Sequence, residues 1–291
     1  MKSGESGELF LQHAALIIEQ GLEQALPAAD EYSRPLHEAM RYALFPGGKR
    51  LRPLMVLSAA RAVHGNPEAA LPGAVAIELI HTYSLIHDDL PAMDNDDYRR
   101  GRPTVHRVAG EAMAILAGDG LLTLAFEVLG RAAEAGVPPE RVAVAVSVLA
   151  RAAGPAGMVA GQAADIDQTA PATMDRLRYL HSQKTAALFE AAAMLGPVLS
   201  GSPGGMVELL RQFGRSFGLA YQIIDDLEDQ KQDAGRSAVS TYPGLAGPQA
   251  AAEEARRYCD QATVIASRLP AGDGLVALVG MVQSHLDMPV H

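Results

Sequence analysis

Apolar residues recur at helical spacing along almost the whole chain, and no convincing alternating run bounded by turn residues points to a substantial sheet. The spacing predicts helices over about 8–25, 32–44, 53–64, 72–89, 110–131, 138–152, 156–167, 173–200, 205–231, 247–268 and 273–286. Short Pro- or Gly-containing breaks separate several of them: FPGGKR at 45–50, HGNPEAALPG at 64–73 and AGVPPE at 135–140. Ala, Leu, Glu and Gln are abundant and aromatics make up only 5%. Such residues lose little side-chain freedom in a helix. Of the 291 residues 48% are hydrophobic, enough for a sizeable core, and no linker, charge block or internal repeat marks a boundary. The expectation is one all-α domain spanning 1–291, a large bundle of ten or more helices.

Two acidic clusters dominate the chemistry. HDDLPAMDNDD holds Asp88, Asp89, Asp94, Asp96 and Asp97, and DDLED holds Asp225, Asp226, Glu228 and Asp229. Both follow long apolar helices. Each residue of a helix turns about 100°, so Asp225 and Asp229 share a face with Gln222, while Asp88 shares a stripe with Ser84 and His81. Pro91 disfavours helix at Leu90, so Asp94 is expected to return from a loop. Packed carboxylates repel and lose hydration unless a cation neutralises them. Oxygen ligands without cysteine suit Mg²⁺ rather than zinc. One acidic run alone reads as a solvated helix end; two in this doubled form reverse that reading.

Basic groups complement them. GGKRLRP supplies Lys49, Arg50 and Arg52 after Gly47 and Gly48, which would let backbone N–H groups approach an anion, though taken alone the motif reads first as an ordinary surface turn. Arg99 and Arg100 follow the first cluster, as phosphate ligands or as surface partners of Asp96 or Asp97. Lys184 and Thr185 lie on an otherwise apolar helix, where the lysine could simply snorkel to the surface. Gln162 and Asp165 sit three apart on another such helix, and a satisfied buried amide is the default for Gln162. Carboxylates reach a diphosphate only through a cation, whereas lysine and arginine neutralise it directly. Both sets beside apolar helices suit a substrate with a diphosphate head and a hydrocarbon tail.

These motifs resemble the trans isoprenyl diphosphate synthases, most closely bacterial farnesyl diphosphate synthases. GGKRLRP, SLIHDDLPAMDNDDYRRG, GMVAGQAADI, KTAALF and YQIIDDLED occur in the family's order, from about Leu36 to beyond Pro243. The resemblance implies a bundle around a central cavity, and condensation of dimethylallyl or geranyl diphosphate with isopentenyl diphosphate, releasing pyrophosphate. It implies Mg²⁺ as cofactor, three ions per active site, held by Asp88, Asp94, Asp225 and Asp229 with Asp89 and Asp226 in support. Arg99, Lys184, Thr185 and Gln222 would be allylic-side and catalytic contacts. Lys49, Arg52, His81 and Arg100 would form the isopentenyl diphosphate site. Tyr83 and Ser84, before the first aspartate, would set chain length, with Tyr83 pointing to the C15 product; helix geometry puts Ser84 nearer the Asp88 stripe, so Tyr83 as a plain core residue stays open, and a homodimer is implied.

The chain departs from the family after DDLED. QKQDAGRSAVSTYPG is short, Val239 stands where a lysine is usual, and the earlier Gly-Lys is missing; Lys231 and Arg236 are the candidate substitutes. The C-terminus, LDMPVH, lacks the usual basic tail. Rival readings are a terpene cyclase, which would not need an isopentenyl site, a catalytically weak regulatory subunit, and geranylgeranyl diphosphate as product. A di-iron bundle needs a second Glu-x-x-His unit beside Glu78–His81, and none occurs.

The net charge of −10 argues against nucleic acid or an anionic membrane as partner. Cys259 is the only cysteine, so no intrachain disulfide forms. MKSGESGELF lacks the apolar run of a signal peptide. The stretch 71–86 is broken by Glu78 and His81 and reads as too short to span a bilayer. A cytoplasmic protein, not integral to a membrane, is expected.

Overall fold

The computed structural model describes residues 3–286 apart from 46, 168 and 233–240, with the side chains of 3–6, 231 and 232 also left aside. The described residues form helices joined by short turns. In order they are α1 (Ser3–Ala25), α2 (Arg34–Leu44), α3 (Leu51–Ala62), α4 (Pro67–Asp88), α5 (Val105–Ala109), α6 (Glu111–Gly130) and α7 (Pro139–Ala153). There follow α8 (Met158–Ile166), α9 (Met174–Leu180), α10 (Ala187–Ser200), α11 (Gly204–Gln232), α12 (Tyr242–Ala246), α13 (Pro248–Ser267) and α14 (Asp273–Gln283). The all-α expectation holds. Among the described residues the sheet is a single hairpin pairing β1 (Tyr98–Arg99) with β2 (Arg102–Pro103).

Local chemistry explains several boundaries. Asn66 accepts the Glu68 backbone N–H at 2.9 Å and starts α4 with Pro67 in its first turn. That start lies five residues before the predicted one, because an N-cap and Pro outweigh the loop signal of HGNPEAALPG. Gly201, at φ 77°, ends α10 in the left-handed conformation that glycine adopts freely. The long helix expected over 173–200 is interrupted. His181–Ala186 winds as a π-helix between α9 and α10, a form that packs an extra residue into a turn and recurs at functional sites.

The core runs through the middle of the bundle. On α4, Ile77, Leu79 and Ile80 are fully buried. Phe189 on α10 meets Phe217 and Tyr221 of α11, with ring centroids 5.1 and 5.5 Å apart. The bilayer argument from sequence needs correction. α4 has 22 residues, and with Glu111–Ala133 and Pro139–Ile166 it is long and apolar enough, by length and composition alone, to cross a membrane. Its apolarity has another use here, since 72% of that window is buried inside the protein.

The basic loop before α3 is also built differently from expectation. Arg50, at φ 50°, turns inward rather than toward a ligand. Its Nη1 donates to Glu78 at 2.6 Å, Nε to Glu19 at 2.7 Å and Nη2 to the Leu44 carbonyl at 2.8 Å. Gly47 and Gly48 serve as clearance for guanidinium groups. A Cβ at Gly47 would lie 1.9 Å from Arg50 Cζ, and one at Gly48 2.6 Å from Arg100 Cζ. Neither a plain surface turn nor an anion-cradling backbone describes the two glycines, which make seats for two arginines. Because Glu78 is bonded to Arg50, it is also not a ligand for a di-iron site.

Candidate active site

α4 and α11 deliver the two acidic clusters to one cavity of about 710 Å³. Asp88 is the last residue of α4. Beyond it the chain folds back, with the Asp94 N–H donating to the Asp88 carbonyl at 2.9 Å and Asn95 N–H to Leu90 carbonyl at 3.1 Å. This return brings Asp94 beside Asp88, as Pro91 foretold. Asp225 and Asp229 approach from α11, one turn apart on the same face, and all four carboxylates line the cavity.

Within each doubled pair the two aspartates divide their work. Asp89 is 4% exposed and does not line the cavity; it accepts Arg99 Nε at 2.6 Å. Asp226 is 7% exposed and accepts Gln222 Nε2 at 3.0 Å and the Tyr242 N–H at 2.8 Å, with His181 Nε2 at 3.2 Å. These positions are those of supporting residues rather than of direct ligands. Asp89 orients Arg99, and Asp226 ties α11 to α12 and the π-helix.

The cations arrive from three directions. The hairpin turns through Arg100 and Gly101, at φ 53° and 74°, the conformation a two-residue type I′ connection requires. Tyr42 Oη donates to the Pro103 carbonyl at 2.8 Å and Arg102 Nη1 to the Phe45 carbonyl at 3.0 Å, which pins the hairpin to α2 and the loop after it. Arg99 and Arg100 are thereby presented to the cavity. Arg52 enters from α3 with its guanidinium 4.3 Å above the Phe189 ring. Lys184 enters from the π-helix, its Nζ donating to Asp165 at 2.6 Å. Both simpler readings, Lys184 as a snorkelling side chain and Arg99 as only a surface partner of Asp96, are set aside by these positions.

His81, Thr185, Gln222, Tyr83 and Ser84 also line the cavity. The Thr185 hydroxyl donates to Gln222 Oε1 at 2.6 Å, which leaves its oxygen lone pairs available. The Ser84 hydroxyl donates to the His81 carbonyl at 2.9 Å. Apolar surface comes from Leu85, Met93, Met158, Val159 and Ile166. Lys49 stands apart from this set. It lines an adjoining hollow of about 280 Å³ that shares Asp225 and Tyr221 with the main cavity, and its Nζ lies 3.2 Å from His285 Nε2. His285 Nδ1 in turn lies 2.5 Å from Glu228. Lys231 and Arg236 lie outside the described side chains.

Sequence reasoning missed His285 and Tyr221, and gave Gln162 the wrong default. Neither amide atom of Gln162 has a hydrogen-bond partner, and the side chain faces the cavity. Its i,i+3 spacing to Asp165, which also reaches the site through Lys184, was the available signal.

The electrostatics are those of an anion site containing its own anions. Burial, ahead of repulsion from Asp94 and Asp89, pushes the Asp88 carboxyl up to about 6. Burial and then Asp229, Asp226 and Glu228 push Asp225 up to about 6. His81 is driven well below the usual imidazole range by burial and by Arg52 and Arg100, so it is a neutral hydrogen-bonding group at pH 7. Among the described residues no three His, Cys, Asp or Glu side chains close on a single point to hold an ion unaided. The donors that line the cavity are hard carboxylate oxygens, which suit Mg²⁺, a cation that keeps several waters and takes one or two carboxylates plus substrate phosphates.

A helical bundle with a large cavity that sets acidic pairs at the ends of two helices against fixed cations and an apolar wall defines a trans-prenyltransferase. A polyprenyl synthetase family model matches residues 33–238. Relatives include a farnesyl diphosphate synthase of Geobacillus stearothermophilus, 44% identical over 82% of this chain and 84% of its own. A chloroplastic geranylgeranyl pyrophosphate synthase of Capsicum annuum is also 44% identical, over 84% of this chain and 69% of its own. The crystal structure of an FPP/GFPP synthase from Zymomonas mobilis superposes with a TM-score of 0.88 at 37% identity, covering 96% of this chain and 99% of that one. That of a geranyltransferase from Legionella pneumophila gives 0.89 at 33% identity, covering 98% and 99%. The chain belongs to the polyprenyl synthetase family.

Proposed function

We propose that this chain joins an allylic diphosphate, dimethylallyl or geranyl, to isopentenyl diphosphate head to tail, and that its main product is the C15 farnesyl diphosphate. One observation carries the proposal: a single cavity is lined by Asp88, Asp94, Asp225 and Asp229, by Arg52, Arg99, Arg100 and Lys184, and by apolar side chains. The relatives named for C15 and for C20 products are equally similar at 44% identity, so identity does not choose between them. Tyr83, 7% exposed and in the cavity wall, favours the shorter product by shortening the space for the growing tail.

The division of labour follows from position and charge. The allylic diphosphate lies between the two acidic faces, near Arg99 and Lys184. Asp88, Asp94, Asp225 and Asp229 would hold Mg²⁺, three ions in the family's pattern, and the metal would supply Lewis-acid assistance to departure of the pyrophosphate. Lys184 and the arginines hold fixed positive charge where negative charge accumulates as the C–O bond breaks. The oxygen lone pairs of Thr185, fixed by Gln222, face the resulting allylic cation. The double bond of isopentenyl diphosphate, seated by Arg52, Arg100, neutral His81 and Lys49, attacks that cation, and the departing pyrophosphate takes the proton lost. Apolar walls exclude the water that would quench it. The cationic second-substrate set also weighs against a terpene cyclase.

A homodimer is in keeping with exposed Val108, Ile115 and Leu116 on α5 and α6. A cytoplasmic location is in keeping with Cys259, lone and buried.

Incubation with geranyl diphosphate, isopentenyl diphosphate and Mg²⁺, followed by product chromatography, tests the proposal; farnesyl diphosphate is expected. Arg52→Ala should raise KM for isopentenyl diphosphate by about 10-fold or more, the loss of one charge-assisted contact. It should leave slow hydrolysis of the allylic substrate alone within a few-fold. Absence of metal-dependent elongation would favour the regulatory-subunit reading, and equal loss of both activities would refute the assignment of Arg52 to the second substrate.

A further inference from the structure

Tyr83 does not meet the cavity unsupported. One turn along α4, His87 also lines it, and the imidazole meets the Tyr83 ring edge-on, with centroids 5.7 Å apart and planes at 75°. Residues four apart on a helix stand on the same face, so the two rings form one short stripe. α6 holds the far side of the imidazole. His87 Nε2 lies 3.1 Å from the Ile115 carbonyl oxygen; opposite an acceptor, that nitrogen carries the proton and donates it. The ring fits against α6 because position 118 has no side chain, and a Cβ there would come within 2.1 Å of Nε2.

We infer that His87, seated against Gly118 and bonded to the Ile115 carbonyl, is a specificity-determining residue that braces Tyr83 and so sets the length of the prenyl product. The inference rests on the elongation activity and the Tyr83 reading proposed above. An aromatic ring on a helix has few rotamers, and the one it keeps depends on what packs beside it. With the imidazole in place, Tyr83 is held in the cavity wall. Without it, the space between α4 and α6 opens and the tyrosine ring swings into it, which lengthens the cavity by the depth of that space.

Two substitutions push the product in opposite directions. His87→Ala should raise the C20 to C15 ratio by about 10-fold, the effect of roughly 1.4 kcal/mol of lost discrimination against a longer tail. Gly118→Ala places a methyl group in the imidazole's seat and breaks the Ile115 bond, so the ring moves toward the cavity and C10 product accumulates. Alanine is favoured over glycine inside a helix, so α6 itself should tolerate the change. The experiment is product chromatography at fixed substrate ratio for wild type and both variants, each checked for a cooperative thermal transition. A purely structural role for His87 would lower total yield and leave the product ratio where it was. Opposite shifts of the ratio support the inference, and unchanged ratios in both variants overturn it. If Gly118→Ala does not fold, His87→Ala decides alone. A wild-type protein making C20 would refute the C15 reading, and the direction in which the variants move from C20 would still judge His87.

Discussion

Asp225→Asn is expected to lower kcat by about 10²–10³-fold and, in the same protein, to raise the melting temperature of the metal-free form by about 2–5 °C. Both effects come from one fact. Burial and the neighbouring Asp229, Asp226 and Glu228 hold the Asp225 carboxyl at about 6 in the folded chain, against an ordinary value of about 3.9 when unfolded. A carboxyl raised in the folded state contributes stability that is present below the unfolded value and disappears as pH rises through about 6. At pH 7 the ion-free protein therefore carries a half-buried charge that opposes folding, and Asn removes it. Asp88, also held at about 6, should behave alike. Function runs the other way, because only the ionised carboxylate can hold a cation. The acidic limb of the kcat/KM profile should fall as pH drops through about 6 rather than about 4, and should move to lower pH at higher Mg²⁺. A less stable Asp225→Asn protein with undiminished turnover would contradict the placement of Asp225 in the site.

Arg50→Ala should destabilise the fold by about 3–5 kcal/mol, the effect of breaking a buried pair from one side. The Arg50 and Glu78 side chains are 5% and 3% exposed, with 2.6 Å between nitrogen and oxygen. Truncation strands the Glu78 carboxylate in the core and leaves the Leu44 carbonyl without its donor. Urea denaturation should show the midpoint displaced with little change in slope. Arg50→Met with Glu78→Leu should recover much of the loss, since replacing both partners leaves no lone charge. An Arg50→Ala protein within about 1 kcal/mol of wild type would show that the pair is not buried as described.

The contrast between Arg50 and Arg52 shows where sequence reasoning stops. Both stand in GGKRLRP, and both looked like phosphate ligands. One guanidinium goes to Glu78 and Glu19, while the other lies over Phe189 at the cavity. Those partners are distant in the chain, and nothing local distinguishes the two arginines. The aspartate motifs were easier to read, because helix periodicity put Asp225 and Asp229 on one face, Pro91 turned Asp94 back toward Asp88, and the family resemblance singled out these four as the cation-holding set. Helical periodicity likewise revealed the bundle and most of its helices. It could not reveal the π-helix at His181–Ala186, whose sequence differs in no obvious way from an ordinary helical turn. The five-residue α5 and α12 were missed because they are too short to show a period. Gly47 and Gly48 were visible as a break, but the guanidinium groups they make room for belong to tertiary structure. His285 escaped attention because a lone histidine in a C-terminal turn carries no pattern.

The account stands on carboxylates from α4 and α11 gripping one diphosphate together. Titration calorimetry of a thiolo analogue of geranyl diphosphate, with and without Mg²⁺, measures this for wild type, Asp88→Asn, Asp225→Asn and the double variant. Tight binding that needs Mg²⁺, with either single change removing most of it and the second adding little, is the predicted result, since groups sharing one ligand couple. Affinity independent of Mg²⁺, or losses from the two positions that simply add, would mean that the two clusters do not act on the same diphosphate.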